Sequence, residues 1–267
     1  MELISDIRAG VRNERPLVHC ITNPISINPC ANVILSTGAR PIMAEHPEEA
    51  AVITGTAGAV MLNLGNITDV RKQSMMISAR EASAKGIPFV LDVCGAACLA
   101  TRRSYALELI GKYTPSVVKG NYSEVVALLR EGYSSSGVDA DLALTADDAA
   151  LAAVSLAIST GSVVIASGST DIVTDGQDIA LIHNGTPQLG TITGTGCMQG
   201  ALCAAYLSKA AAFDAAVAAA AVFGICGQLS ETDKGSGTFG VNLLDALSTV
   251  TDGQIAALAD IERRAAQ

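Results

Sequence analysis

The strongest constraint in this chain is an alternation. Short, continuous apolar runs occur at Leu17–Ile21, Ala59–Asn63, Pro88–Asp92, Ser116–Lys119, Val163–Ser167, Ile172–Thr174 and Ile179–His183. Between them lie helix-like stretches at Ile25–Ser36, Thr68–Lys85, Thr101–Gly111, Tyr122–Glu131 and Thr145–Thr160. Strand-length runs without polar alternation belong to strands covered on both faces. Strand and helix in turn predict an α/β fold with a mostly parallel sheet and crossover helices. After His183 the pattern changes, and Cys197–Lys209, Ala211–Leu229, Val241–Thr249 and Asp252–Arg264 all read as helices. No long linker divides the chain. The Ser/Gly segment Gly132–Asp139 is too short to separate domains and reads as a loop, so one domain over residues 1–267 is expected.

Composition removes several classes of function. Hydrophobic residues make up 49% of the chain and charged residues 16%, which excludes a disordered or collagen-like chain. The net charge is −9 and the sequence pI 4.8, with no basic run, so no nucleic-acid partner is expected. An anionic substrate would have to be held by a few local donors against the overall field. The seven cysteines form no CxxC pair and share no metal-ligand spacing with the three histidines, so neither a zinc site nor a disulfide framework is expected. Most of the thiols should be small buried hydrophobes in a reducing, cytoplasmic setting. The charged, amphipathic start MELISDIRAGVRNERP does not read as a signal peptide. The most apolar stretch, Ala215–Ser230, runs 16 residues without a charge, shorter than the about 20 a membrane span needs. It reads as a buried helix, and no membrane partner is expected.

The most informative segment for chemistry is Gly190–Gly200, GTITGTGCMQG. A Gly/Thr-rich turn runs directly into a helix. Free N–H groups at a helix start form an anion site, and glycines let a phosphate approach the backbone. Cys197 falls in the first helical turn, where a thiol loses its proton more readily and becomes a candidate proton acceptor. An ordinary capped helix with a buried Cys fits the same text. No GxxxxGK[ST] motif is present, and Gly235, Gly237 and Gly240 spell GxGxxG after a helix rather than a strand, the wrong context for a dinucleotide site.

Three further constellations carry polar residues at strand exits. In VVKGNYSE, Asn121 and Glu124 have the spacing of a capping box, while Lys119 could face phosphates and Glu124 could orient hydrated magnesium. In LDVCG, Asp92 ends a strand and could either turn the chain or help place magnesium. Around HCITN and RPIMA, Asn23 and Asn28 could meet a small polar ligand or simply turn the chain, and Met43 could wall a pocket or fill core. A Cys197 hydrolase with His183 or His19 as base is also conceivable, although no protease signature surrounds it.

Taken in order, PLVHCITNPISIN, GARPIMAEHPEEA, MLNLGNIT, LDVCG, VVKGNYSEV, GVDA, ASGSTDIVTDG, HNGTPQLGTITGTGC and DKGSGTFGVNLLDAL resemble the hydroxyethylthiazole kinase family of the ribokinase-like superfamily. The likeness runs from about Pro16 to Arg264, with GTGC where the wider superfamily has GTGD. It implies a three-layer α/β/α fold with a mostly parallel central sheet. The implied activity is ATP-dependent phosphorylation of the hydroxyl of 4-methyl-5-(2-hydroxyethyl)thiazole in thiamine salvage. The resemblance gives Cys197 the catalytic-base position and Gly194 the anion hole beside the substrate. Met43 and Asn23 would line the thiazole pocket, and Lys119 and Ser167 would contact ATP. Asp92 and Glu124 would hold Mg2+. The implied assembly is a homotrimer with active sites between subunits. The chain departs from the family in three places: DVCGAACLATRR replaces DPVG and its Gly-rich sequel, Lys119 replaces Arg, and Ser167 replaces Thr. Lysine keeps the charge but loses the bidentate fork. Rival readings on the same fold are a hydroxymethylpyrimidine or pyridoxal kinase, an ATP-dependent dehydratase and an idle ligand-binding protein.

Overall fold

The computed structural model describes residues 2–130, 132–133 and 144–266. The expected loop Gly132–Asp139 lies mostly outside them. Among the described residues the sheet has nine strands: β1 (Leu17–Ile21), β2 (Arg40–Ile42), β3 (Ala59–Asn63), β4 (Phe89–Asp92), β5 (Val117–Asn121), β6 (Val163–Ser167), β7 (Asp171–Thr174), β8 (Asp178–Ile182) and β9 (Ile261–Ala265). Their spatial order is β2-β1-β3-β4-β5-β6-β7-β8-β9. Strands β2 to β6 pair in parallel, and β6 to β9 form an antiparallel extension.

Side chains alternate across the pleat and build a core on each face. Val18, Cys20, Met61, Val90, Val117 and Ile165 point to one face, under α1 (Glu2–Glu14), α2 (Ile27–Ser36), α8 (Thr195–Leu207), α9 (Ala212–Leu229) and α10 (Ser236–Thr249). Ile21, Val60, Leu62, Leu91, Val118 and Val164 point to the other, under α4 (Asp69–Lys85), α5 (Ala100–Tyr113), α6 (Tyr122–Leu129) and α7 (Ala146–Thr160). Each large side chain buried this way stabilises the fold by about 1.5–3 kcal/mol. The result is the expected three-layer arrangement. Helix α9 is long and apolar enough to cross a membrane, but most of it is buried against α8 and the sheet, so it is a core helix as its composition suggested.

The element readings need four corrections. Strand β2, at the sheet edge, has only three residues and contains Pro41, so it shows no period. Helix α3 (Pro47–Thr54) is a short helix inside text that carried no helical reading. The N-terminal segment is a full helix, α1. The stretch Asp252–Arg264 is not one helix. A capped helix α11 (Asp252–Leu258) ends, and the chain then pairs antiparallel with β8 as β9. The capping box Thr251/Gln254 marks the start of α11 in sequence, while only the partner strand marks β9.

The chain order places the site. From β1 the chain moves outward to β2, then returns to the other side of β1 for β3. The reversal opens a crevice at the carboxyl ends of β1 and β3, where open parallel sheets bind ligands.

Candidate active site

Polar residues crowd the carboxyl ends of β1, β3, β4 and β5 and are buried there. Asn23 follows β1 and Asn63 ends β3, and the Asn23 Nδ2 donates to Asn63 Oδ1 at 3.0 Å across the crevice. Asn23 Oδ1 in turn accepts from the backbone N–H groups of Ile25 and Ser26, both at 3.1 Å. Asn23 therefore turns the chain into α2 and lines the crevice at once. Asn28 lies on the exposed side of α2, bonded to Asn32 at 3.0 Å, and does not line the cavity.

Helix α8 enters from the other side. Its N-cap, Gly194, has φ +87, a left-handed conformation that a side chain would strain, and a Cβ there would sit 3.1 Å from Ser26 Oγ. Gly194 offers the first-turn amides no side-chain acceptor, so the helix start keeps its anion-binding character. Farther in, a Cβ on Gly200 would lie 2.8 Å from Met61 Cε, so a glycine is what lets α8 press onto β3.

Cys197 is the third residue of α8. Its Sγ accepts from Asn63 Nδ2 at 3.3 Å and Asn23 Nδ2 at 3.5 Å. The thiol is held below its usual range, first by a hydrogen bond from the Cys94 side chain and then by Ser26 and the Lys119 charge, against the opposing pull of burial. Neither candidate histidine serves it. His19 spends its ring nitrogens on Thr54 Oγ1 and the Ala44 carbonyl, both at 2.8 Å. His183 is exposed, and neither lines the cavity beside Cys197. The glycines 235, 237 and 240 lie at and within the start of α10, which follows helix α9 rather than a strand.

The charged members come from β4, β5 and α6. Lys119 is 2% exposed, and its Nζ lies 3.8 Å from Asp92 Oδ2. Asp92 Oδ1 accepts from the Cys94 N–H at 3.1 Å, but Oδ2 is buried and makes no hydrogen bond. Burial pushes the Asp92 carboxyl above its usual range against the pull of Lys119. Burial pulls the Lys119 ammonium down, but the charges of Asp92 and Glu124 outweigh it and hold the lysine charged. Glu124 closes a capping box with Asn121: its Oε2 accepts from the Asn121 N–H at 2.7 Å, and Asn121 Oδ1 accepts from the Glu124 N–H at 2.9 Å. Its Oε1 also accepts from the Gly95 N–H at 2.6 Å. Burial and the Asp92 charge raise the Glu124 carboxyl to about 7.

These groups line one cavity of about 470 Å³ with Asn23, Ser26, Cys94, Arg102, Ser167 and the Gly190–Cys197 turn. A second lobe of about 680 Å³ shares Ser167, Gly190, Thr195 and Gly196 with the first and runs on to Asp171, Asn184, Gln199 and Phe223. Of the eight residues that the family resemblance assigns to the site, seven meet here: Asn23, Asp92, Lys119, Glu124, Ser167, Gly194 and Cys197. Met43 does not; it is half-buried and packs against the core beside α2. Sequence reasoning missed Asn63, Ser26 and Gln199. Gln199 is buried on α8, donates to Asp171 Oδ2 and has a partnerless Oε1 in the second lobe. Asn63 at a strand end gave only a faint signal, a polar residue closing an apolar run.

Comparison with known proteins gives one consistent result. Residues 9–253 match the description of the hydroxyethylthiazole kinase family. The chain is 43% identical over 251 residues to hydroxyethylthiazole kinase 2 of Clostridium botulinum, covering 92% of this chain and 95% of that one. It is 40% identical over 258 residues to hydroxyethylthiazole kinase of Methanoculleus marisnigri, covering 96% and 92%. The solved structure of the hydroxyethylthiazole kinase protein from Pyrococcus horikoshii superimposes with a TM-score of 0.91 at 32% identity, over 99% of this chain and all of the other. A pyridoxal kinase from Staphylococcus aureus shares the fold at a TM-score of 0.66 and 14% identity, over 94% of this chain and 98% of the other.

Proposed function

The chain belongs to the hydroxyethylthiazole kinase family and is a small-molecule kinase, and we propose that the two-lobed cleft transfers the γ-phosphoryl group of ATP to the hydroxyl of 4-methyl-5-(2-hydroxyethyl)thiazole, a step of thiamine salvage. One observation carries this reading. The α8 amino terminus with Cys197, the Asp92–Glu124 carboxylate pair and Lys119 all open into the same cavity.

Phosphoryl transfer asks a protein mainly for positioning and charge stabilisation. The uncapped amides from Gly194 to Cys197 would meet the negative charge on the transferring group, in a site buried enough to make them count. Lys119 would neutralise phosphate charge from the floor of the cavity. Ser167, where the lobes join, would contact ATP, and the second lobe has room for the rest of the nucleotide. Asn23 and Gly194 would border the thiazole.

Two features suit a magnesium ion. The buried Asp92 Oδ2 makes no hydrogen bond, and Asp92 and Glu124 together supply the one or two carboxylates that magnesium uses alongside phosphates. Asp92 would hold it directly, and Glu124, with both oxygens already engaged, through water. Held there, the ion would supply positive charge beside the phosphates.

Cys197 would take the hydroxyl proton. The Asn23 and Asn63 amides donate to its sulfur and so favour the thiolate that a proton acceptor must be. A role for Met43 in the thiazole pocket requires a neighbouring copy, because in its own chain it lies outside the cavity. A homotrimer of single-domain chains with sites between subunits meets that requirement, and native mass would test it. The function is tested by incubating the protein with ATP, magnesium and hydroxyethylthiazole and weighing the products. ADP and a singly phosphorylated thiazole are expected. ADP release only with a pyrimidine or pyridoxal acceptor, or none with any, would overturn the reading.

A further inference from the structure

The kinase reading leaves Cys94 without a task, yet its position is specific. It lies in the turn between β4 and α5, half-buried, and lines the cavity together with Cys197. Each thiol is the first influence on the other's acidity, so the two side chains lie within interaction range across the cavity wall they share. The neighbouring backbone is held at both sides: the Cys94 N–H by Asp92 Oδ1 at 3.1 Å, and its carbonyl by Arg102 Nη1 at 3.2 Å. A second thiol pair, Cys20 and Cys30, serves as an internal contrast. Those two also perturb each other, but they are 1% and 0% exposed in the core and line neither lobe of the cleft. Of the two pairs, the one in the cleft is open to a small solute.

We propose that Cys94 and Cys197 are a redox pair, joined by peroxide into a disulfide that switches the kinase off reversibly. In the first step the Cys197 thiolate attacks one oxygen of hydrogen peroxide. The O–O bond breaks, hydroxide leaves and takes up a proton to become water, and Cys197 becomes a sulfenic acid. In the second step the Cys94 sulfur attacks the Cys197 sulfur. The S–S bond forms, the S–O bond breaks, and the hydroxyl leaves with the Cys94 proton as a second water. Two thiols lose two electrons and one peroxide gains them. A disulfide holds its sulfurs at about 2.05 Å, and two thiols that line one cavity reach that distance by a local approach. Cys94 lies in a turn, where that shift disturbs neither strand nor helix pairing. The bond would occupy the Cys197 sulfur and draw the turn against the start of α8, where the amides face the cavity.

The test uses the full chain, treated with hydrogen peroxide, alkylated, digested and weighed. The expected product is one cross-linked peptide pair joining Cys94 to Cys197, lighter by two hydrogens. Kinase activity should fall with the cross-linked fraction and return on adding dithiothreitol. Cys94→Val and Cys94→Ser, each checked for folding by thermal melt, should form no such link, and peroxide should drive Cys197 on to sulfinic acid with no recovery. Cys98→Ser should keep the link. A Cys94–Cys98 link, or an oxidised Cys197 beside a free Cys94 in the wild type, would overturn the proposal. The cross-link is read by mass, so its presence or absence is decided whatever the acceptor substrate proves to be.

Discussion

Two helices of this protein begin with the same device in different surroundings. At α6, Asn121 and Glu124 close a capping box, and at α7, Thr145 and Asp148 close another. Both carboxylates accept from the backbone N–H of their N-cap, at 2.7 Å and 3.3 Å. At exposed α7, the bonds from Thr145 hold the Asp148 carboxyl below its usual range. At buried α6, desolvation overrides two backbone bonds and raises Glu124 to about 7. A local motif thus fixes where a helix starts. Its surroundings decide whether the carboxylate is only a cap or also a group poised for ligand chemistry.

The largest test of that contrast is Lys119→Ala. It leaves Asp92 and Glu124 buried without their cation, and breaking a buried pair from one side costs about 3–5 kcal/mol. Urea unfolding at pH 8 should show that loss, and a change below about 1 kcal/mol would mean the pair is well solvated. Next is the pH dependence of Glu124. Its folded pKa lies above the value of 4.5 for a free carboxyl, so the folded protein retains a proton that the unfolded chain releases. Stability from this group is complete below pH 4.5 and declines as pH rises through about 7, by at most about 3 kcal/mol. The Tm difference between wild type and Glu124→Gln should therefore shift against the wild type across that window, and a shift in its favour would contradict the burial argument. The smallest effect is Thr145→Ala at the exposed box, about 1 kcal/mol by thermal melt.

Much of this was legible before the fold was known. The parallel strands announced themselves because both faces of each are covered, and continuous apolar text is what that environment demands. The glycine turn before Cys197 was legible because amides at a helix start need no side chain to bind an anion. What failed was local text whose structure is decided elsewhere. The segment Ile261–Ala265, IERRA, has good helix formers, yet pairing with β8 makes it a strand. Asn63 gave only a faint signal because a polar residue that closes an apolar run can equally face water. Here Asn23, from another strand exit, meets it and turns both amides toward the same sulfur. Met43 could wall a pocket or fill core by its sequence, and within its own chain it packs against the core.

The proposed phosphoryl transfer depends on Cys197 accepting the hydroxyl proton in the cleft. The direct measurement is thiazole-dependent ADP release by wild type, Cys197→Ala and Cys197→Asp, with nucleotide affinity measured alongside. Losing a positioned base should lower kcat in the Ala variant by on the order of a hundredfold or more, with nucleotide affinity unchanged. The Asp variant, with a carboxylate in the same place, should retain turnover. Equal turnover by wild type and Cys197→Ala would remove the thiol from the reaction.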